Sequence, residues 1–382
     1  MVRIASYNVE NLFARPKVFN TEGWAAGRPV LDAYYQVNDL MAKTVYSPAD
    51  KVRMRELLLQ LDIYYRNAQG AIRRRQTIYP KWAWLRKNRG TFDRQPRDAS
   101  RDVEIVATGR EHWIGWVALA KEPTNEVGTR LTAQVIADVD ADLIGIVEAE
   151  SRPSLVRFNK ELLDDQYGHV MLVDGNDERG IDVGLMAKDE FSIENIRSNV
   201  DTEDDVGQVF SRDCPEYEVR TPSGQTLYLL INHFKSQSGG GGTKRQRQAK
   251  EVRRIADRLV GQGRHVVVLG DLNEGPAAAG SQAQNFFALF ESASPLVDAY
   301  EQPGFDVGPR PGTFDSCGLR NRLDYMLISR SLVPAFRGGG VFRKGLWGTR
   351  QTRPDRWETY PEMTRSSEQA SDHAAVFIDL DI

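Results

Sequence analysis

Three short phrases in the last third of the chain carry residues able to do chemistry: Gly270-Asp271-Leu272-Asn273, Arg322-Leu323-Asp324-Tyr325 and Ser371-Asp372-His373. Each sets a carboxylate beside an amide, hydroxyl or imidazole at one end of an apolar run. The runs are Val266-Val267-Val268-Leu269, Met326-Leu327-Ile328 and Ala374-Ala375-Val376-Phe377-Ile378. A strand covered on both faces tolerates only apolar residues, so polar groups appear where it emerges, and ligands bind at such ends. Acids gathered this way repel one another unless protons or a cation intervene. A divalent metal and a phosphoryl substrate are the economical reason to gather them.

The elements that must position these groups read as alternating strands and helices. A buried strand over residues 2–9 carries Asn8. Helical spacing over residues 128–139 precedes a strand over 142–147 that ends at Glu148. Residues 158–163 read as helix and 182–186 as strand. The strand over 226–231 runs into Asn232-His233, an amphipathic helix covers 246–259, and the strand over 265–269 leads to Asp271. Such alternation predicts a layered α/β architecture. The glycine run 239–242 reads as a mobile loop, because its order is Gly-Thr-Lys and no strand runs straight into it.

Each strand-end residue also has an ordinary reading. Asn8 could be a turn residue, Glu148 a solvated terminus and His233 a satisfied core histidine. Asp324 beside Arg322 could be a surface ion pair, worth little. The set is harder to dismiss: of only five histidines, two close strand ends of this kind. His112, His169 and His265 lack a motif partner and read as structural.

The 382 residues are enough for one large α/β domain or two smaller ones, and 41% apolar with 27% charged residues is ordinary for a globular protein. A net charge of −3 gives no global attraction to nucleic acid, so only local patches could supply it. Cys214 and Cys317 make neither a disulfide framework nor a zinc site. With no signal-peptide stretch and no transmembrane run, the default is a soluble protein of the reducing cytoplasm, although a chain whose leader had been removed would read the same.

Six phrases in order now carry a resemblance: Ser6-Tyr7-Asn8-Val9-Glu10-Asn11, Ile146-Val147-Glu148, Asn232-His233-Phe234-Lys235-Ser236, Gly270-Asp271-Leu272-Asn273, Arg322-Leu323-Asp324-Tyr325 and Ser371-Asp372-His373. The chain resembles the endonuclease/exonuclease/phosphatase superfamily, and most closely bacterial members that also carry Arg179-Gly180-Ile181-Asp182-Val183-Gly184 and Phe210-Ser211-Arg212-Asp213. The resemblance implies a DNase-I-like fold, a four-layer α/β sandwich of two packed mixed β-sheets flanked by helices. It also implies one catalytic domain over residues 1–382, with an insertion at about 15–121.

The resemblance assigns roles as well. Glu148 would be the principal ligand of Mg²⁺ or Mn²⁺, with Asn8 and Asp372 close by. Hard oxygen donors suit those ions better than zinc. Asp271 would orient or deprotonate the attacking water, and Asn273 would hold a phosphoryl oxygen. His373, oriented by Asp324, would contact the scissile phosphate, and His233 would stabilise or protonate the departing oxygen. Arg179, Asp182, Lys235 and Arg212 lie where substrate-side groups occur. A capped turn (Arg179, Asp182), a solvated lysine (Lys235) and a structural ion pair (Arg212) are their alternatives.

The insertion departs from the family pattern. Residues 50–65 have helical spacing after Ser47-Pro48, with Val52, Leu57, Leu58, Leu61 and Tyr65 as the apolar stripe. Residues 72–101 show no clean period and read as irregular. Between Arg66 and Arg110 twelve basic residues face four acidic ones, a net of +8, with Tyr79, Trp82, Trp84 and Phe92 interleaved. Cations track phosphates and flat rings stack on bases, so this is the composition of a nucleic-acid surface; a cationic lid is the competing reading. Along the helix read from Lys244 to Arg258, Arg245, Arg247, Lys250, Arg253 and Arg254 add a basic face toward solvent.

A metal-dependent nuclease acting on DNA or RNA is therefore the first expectation. A phosphomonoesterase or lipid-headgroup phosphodiesterase is the alternative, with Trp347 and Trp357 as candidate membrane residues. A nucleic-acid-binding module with a dead site is the third. No protein partner can be inferred.

Overall fold

Side-chain alternation along apolar strands builds this molecule. The computed structural model describes residues 1–20, 24–77, 79–177, 180–237, 241–276, 285–348 and 357–382. The chain divides into two compact units, Met1–Phe13 with Thr124–Ile382, and Ala14–Pro123.

The first unit begins with β1 (Val2–Asn8), α1 (Glu126–Val139), β2 (Leu143–Ala149), α2 (Arg152–Leu162), β3 (His169–Val173) and β4 (Asp182–Ala187). There follow β5 (Ser192–Arg197), β6 (Glu216–Arg220), β7 (Thr226–His233), α3 (Gly242–Gly261) and β8 (His265–Asp271). It closes with β9 (Leu296–Asp298), β10 (Phe305–Asp306), β11 (Asp324–Ser329), β12 (Phe336–Phe342) and β13 (Ala375–Leu380). One sheet has the order β3-β4-β2-β1-β13-β12-β10, the other β5-β6-β7-β8-β11-β9. Both are mixed: β1–β2 and β7–β8 pair in parallel, while β1–β13 and β8–β11 are antiparallel.

Alternation sorts the apolar residues into three cores. Ile4, Leu143 and Val147 of one sheet share a buried cluster with Ile231, Leu269 and Met326 of the other. The intervening Tyr7, Ile144 and Ile146 pack with Val135 and Ile136 of α1 and Phe158 of α2. On the far side, Leu230, Val266 and Val268 meet Val252, Ile255 and Leu259 of α3. The result is helices, sheet, sheet, helix: the four-layer sandwich expected from the resemblance. Each fully buried aliphatic side chain contributes roughly 1.5–3 kcal/mol of transfer free energy. The sheets approach closely at Gly145, where an added Cβ would stand 2.7 Å from the Leu269 side chain.

The second unit holds two helices, Trp24–Met41 and Pro48–Gln60, and a series of two-stranded ribbons. Ser47 and Asp50 form a capping box at the start of the second helix. That helix stops at Gln60, so Tyr65 lies in the strand Tyr64–Arg66 instead, and Val52 is exposed. Residues 72–101, expected to be irregular, contain strands Ile72–Arg74, Ala83–Gly90 and Asp93–Arg94. For Ala83–Gly90 the expectation failed because its partner, Trp113–Leu119, lies far along the chain; the other two are strands of two or three residues, too short to show a period. Phe92 is a core residue of this unit.

Many of the unit's arginines are occupied. Arg73 donates to the carbonyls of Pro96, Asp98 and Arg101; Arg74 pairs with Asp93 and Arg75 with Asp62. The glycine run 239–242 lies partly outside the described residues, and Gly242 opens α3. Among the described residues no helix is long and apolar enough to cross a membrane. Trp347 packs against a core cluster, and Trp357 donates to the Leu346 carbonyl, so neither stands free as a membrane anchor.

Gly145→Val should destabilise the protein by about 1–3 kcal/mol, because the added carbons overfill the interface between the sheets. Urea unfolding followed by circular dichroism measures it, and an unchanged midpoint would contradict the close approach.

Candidate active site

The register of three neighbouring strands sets the site. His233 closes β7, Asp271 closes β8 and Asp324 opens β11, and they pair side by side as His233↔Asp271 and Asp271↔Asp324. Two residues back along each strand stand Ile231, Leu269 and Met326, which belong to the core between the sheets. Period-two alternation therefore points the three polar side chains into the same interface. In the opposite sheet Asn8 follows Ile4 and Ser6 on the inward face of β1.

Glu148 arrives by a different device. The β2–β4 register shifts between Val147 and Ala149, and Glu148 has φ +67°. This bulge takes the residue out of the ladder and re-aims its side chain. Glu10 (φ 47°), Asn11 (φ 62°) and Asn273 (φ 54°) are also left-handed. Non-glycine residues held in this region cluster where structure serves chemistry. Gly270 has φ +128°, and a Cβ there would stand 1.9 Å from the Asn232 carbonyl oxygen, so the glycine of Gly-Asp-Leu-Asn is a steric requirement.

The side chains converge. His373 Nδ1 lies 2.7 Å from Asp324 Oδ2, and its Nε2 is 3.8 Å from Asp271 and 3.9 Å from Asp372. His233 Nε2 stands 3.3 Å from Glu148 Oε1 and 3.7 Å from Asp271 Oδ2. Asn8 donates to Asp271 Oδ2 at 3.3 Å while its own oxygen accepts the Glu10 N–H. Asn273 donates one bond from its main-chain N–H to Asp271 Oδ1. Its amide nitrogen donates to Asp271 Oδ2 and to the Phe234 carbonyl. Both amide hydrogens are thus engaged, which fixes Asp271 and leaves none for a phosphoryl oxygen.

Burial dominates the electrostatics. It pushes the Asp271 carboxyl up to about 7, with His373 opposing and Asp324 and Glu148 reinforcing the rise. Burial pulls the His373 imidazole down, but Asp324 and Asp271 outweigh it and hold the ring well above the usual histidine range. Asp271, Asp324 and His373 bring ligand atoms within 4.8 Å of one another. Asp324 is engaged with His373, whereas the Glu148 and Asp372 side chains are the more open, at 13% and 22% exposure. Oxygen donors of Glu148, Asp271, Asp372 and Asn8 fit a hard divalent cation, which would also relieve the crowding of acids.

The remaining candidates have other described partners or lie outside the described residues. Arg179 lies outside the described residues. Asp182 is buried, accepts the Gly175 N–H, and is pushed up to about 6 by burial. Arg212 is buried, pairs with Asp177 at 3.0 Å and donates to the Phe234 carbonyl, a structural ion pair that braces the loop behind His233. Lys235 is anchored through its backbone to Gln248 and Arg245. Arg322 pairs not with Asp324 but with buried Asp298, its guanidinium between the rings of Tyr300 and Tyr325. His265 bonds Ser331.

Three further residues belong to the site. Glu10 accepts the Asp372 N–H, and Thr313 Oγ1 accepts the N–H groups of Leu323 and Asp324. The Phe314 ring lies 4.8 Å from the His373 ring. Glu10 was visible only as part of the first phrase, and Thr313 and Phe314 sit in no recognisable motif.

Comparison with known proteins agrees with this geometry. The model of the endonuclease/exonuclease/phosphatase family matches residues 88–380. The chain belongs to the endonuclease/exonuclease/phosphatase family. Members of that family are hydrolases of phosphoester bonds, and the chain is a phosphoesterase by class. The match omits β1, so the placement of Asn8 is seen from the fold alone. No curated protein is significantly similar in sequence.

Similar solved structures include the mannosyl-6-phosphatase Bt3783 of Bacteroides thetaiotaomicron, 19% identical over 66% of this chain and 90% of that one, with a TM-score of 0.49. Truncated TDP2 of Caenorhabditis elegans is 17% identical over 67% and 91%, with a TM-score of 0.48. The human Nocturnin catalytic domain is 17% identical over 67% and 86%, with a TM-score of 0.47.

Replacing Asp324 by Asn should lower the His373 pKa, since the nearest anion that stabilises the imidazolium is gone. Side-chain nitrogen NMR of the chelator-treated protein reads the shift, and an unmoved titration would remove Asp324 from its role. Gly270→Ala should cost on the order of 1–3 kcal/mol of stability for the forced backbone alone. Thermal unfolding tests it.

Proposed function

We propose that this phosphoesterase is a divalent-metal-dependent nuclease that hydrolyses phosphodiester bonds in DNA or RNA. The observation that carries the reading is the in-register row His233, Asp271, Asp324, completed by His373 and facing Glu148. The net +8 stretch between Arg66 and Arg110 supports a polyanionic substrate, since the chain as a whole is acidic.

Glu148, with Asn8 and Asp372, would hold Mg²⁺ or Mn²⁺. Bound there, the cation supplies positive charge toward the phosphoryl group and the leaving oxygen. Asp271 takes the proton of the attacking water, its burial beside Asp324 and Glu148 raising its affinity for that proton. Asn8 and Asn273 hold Asp271 in place. His373 keeps its Nδ1 on Asp324 and turns Nε2 toward the phosphoryl oxygens, where an imidazolium stabilises developing negative charge. His233 donates from Nε2 to the departing oxygen.

Hydrolysis of plasmid, single-stranded oligonucleotide and RNA should vanish in EDTA and return with Mg²⁺ or Mn²⁺. Full activity in chelator would remove the metal from the scheme. Turnover of phosphomonoesters alone would move the chain to the phosphatase reading, and no turnover of any phosphoester would leave a binding module. His373→Ala and Asp271→Ala should each lower kcat on the order of 10²-fold or more. Near-normal rates in either folded variant would overturn the assignment.

A further inference from the structure

The second unit offers a face whose chemistry nothing above has used. Strands Ala83–Gly90 and Trp113–Leu119 form a two-stranded ribbon. Ala83, Trp113, Val117 and Leu119 point into the unit's core. Register Trp84↔Ala118 and Arg86↔Trp116 then puts Trp84, Arg86 and Trp116 together on the other face. The ribbon carries a bulge between Lys87 and Arg89, so Arg89 pairs with Ile114. Without that extra residue Arg89 would turn inward; the bulge brings it to the outer face beside Arg86. Trp84, Ile114 and Trp116 are half-buried, and Arg86 and Arg89 are exposed.

These cations differ from the paired arginines of the unit. Arg73, Arg74 and Arg75 are consumed by carbonyls and carboxylates, and Arg94 and Arg101 by Glu104. Among the described residues Arg86, Lys87 and Arg89 form no ion pair. The Arg86 guanidinium lies 4.9 Å from the Trp84 ring centre, and Arg89 donates only to the Glu111 carbonyl. The cleft of about 910 Å³ that Trp84 helps to line is bounded by the inward-facing Ala83 and Leu85 and by the carboxylates Asp62 and Asp93, so it is no part of this outer face. On the outer face flat rings alternate with cations that no carboxylate holds.

We propose that this face docks a single-stranded segment of nucleic acid. Trp84 and Trp116 stack on bases, and Arg86 and Arg89 contact successive phosphates. Charge complementarity favours this occupant: a polyanion meets cations that the protein leaves without carboxylates, while every base presents a ring face. The inference rests on the nuclease reading for its substrate class. Arg73, Arg74 and Arg75 take no part in it, since their guanidinium groups are held by carbonyls and carboxylates within the unit.

The test is fluorescence anisotropy of labelled DNA and RNA oligonucleotides with the full chain in EDTA, over a salt series. Trp84→Ala with Trp116→Ala should weaken binding about tenfold or more, and the corresponding Phe pair should restore most of it. Arg86→Gln with Arg89→Gln should reduce the salt slope by about 1.4, two contacts at ~0.7 each, and the Lys pair should retain it. Unchanged affinity and slope in both double variants would overturn the proposal. So would binding to phosphatidylserine vesicles without binding to oligonucleotides, which would mark the face as a membrane surface. Hydrolysis of bis(4-nitrophenyl) phosphate by the unaltered chain tests the catalytic reading separately. Hydrolysis without oligonucleotide binding would defeat the docking face alone, and binding without hydrolysis the nuclease reading alone.

Discussion

Everything in the site depends on one constraint: the chemistry is built as the last layer of the core between two sheets. Ile231, Leu269 and Met326 are inward because alternation puts them there, and His233, Asp271 and Asp324 inherit the same direction two residues on. The strands hold these groups with the stiffness of the sheet itself. Exchange of protein dipoles for water needs no rearrangement at the moment of reaction, which is where such sites gain most.

That placement carries an electrostatic cost. Asp271 and Asp324 are almost wholly buried beside Glu148, and the rise of the Asp271 carboxyl to about 7 expresses the strain. The surrounding structure answers it in two ways. Asn8, Asn273 and His373 supply donors to the acids, and the Arg322–Asp298 pair, held between two tyrosine rings, braces the start of β11. The more open Glu148 and Asp372 carry hard oxygens suited to a divalent cation.

The second unit shows how composition misleads about charge. Its +8 stretch looks like a uniform cationic surface, yet pairing with Asp62, Asp93 and Glu104 and with backbone carbonyls neutralises or immobilises many of its arginines. One local arrangement stands out: a ribbon face where a bulge and two tryptophans organise Arg86 and Arg89, which pair with no carboxylate. Counting charges located the region, and only pairing showed which of them are available.

By itself the sequence determined the strand ends and their polar residues, because apolar runs closed by carboxylates and imidazoles are local patterns. It also determined a layered α/β architecture, through alternation of strands and helices; the number of layers came only as what the resemblance carried by six phrases in order implies. It did not reveal the ribbons of residues 72–101, because a short strand takes its identity from a partner that can lie thirty residues away. Nor could it show that Arg322 turns to Asp298, that Asn273 spends both amide hydrogens on its neighbours, or that Thr313 and Phe314 complete the site. Those are decided by distances between residues remote in the chain. Side-chain type says what a group can do; only tertiary packing decides which partner it meets first.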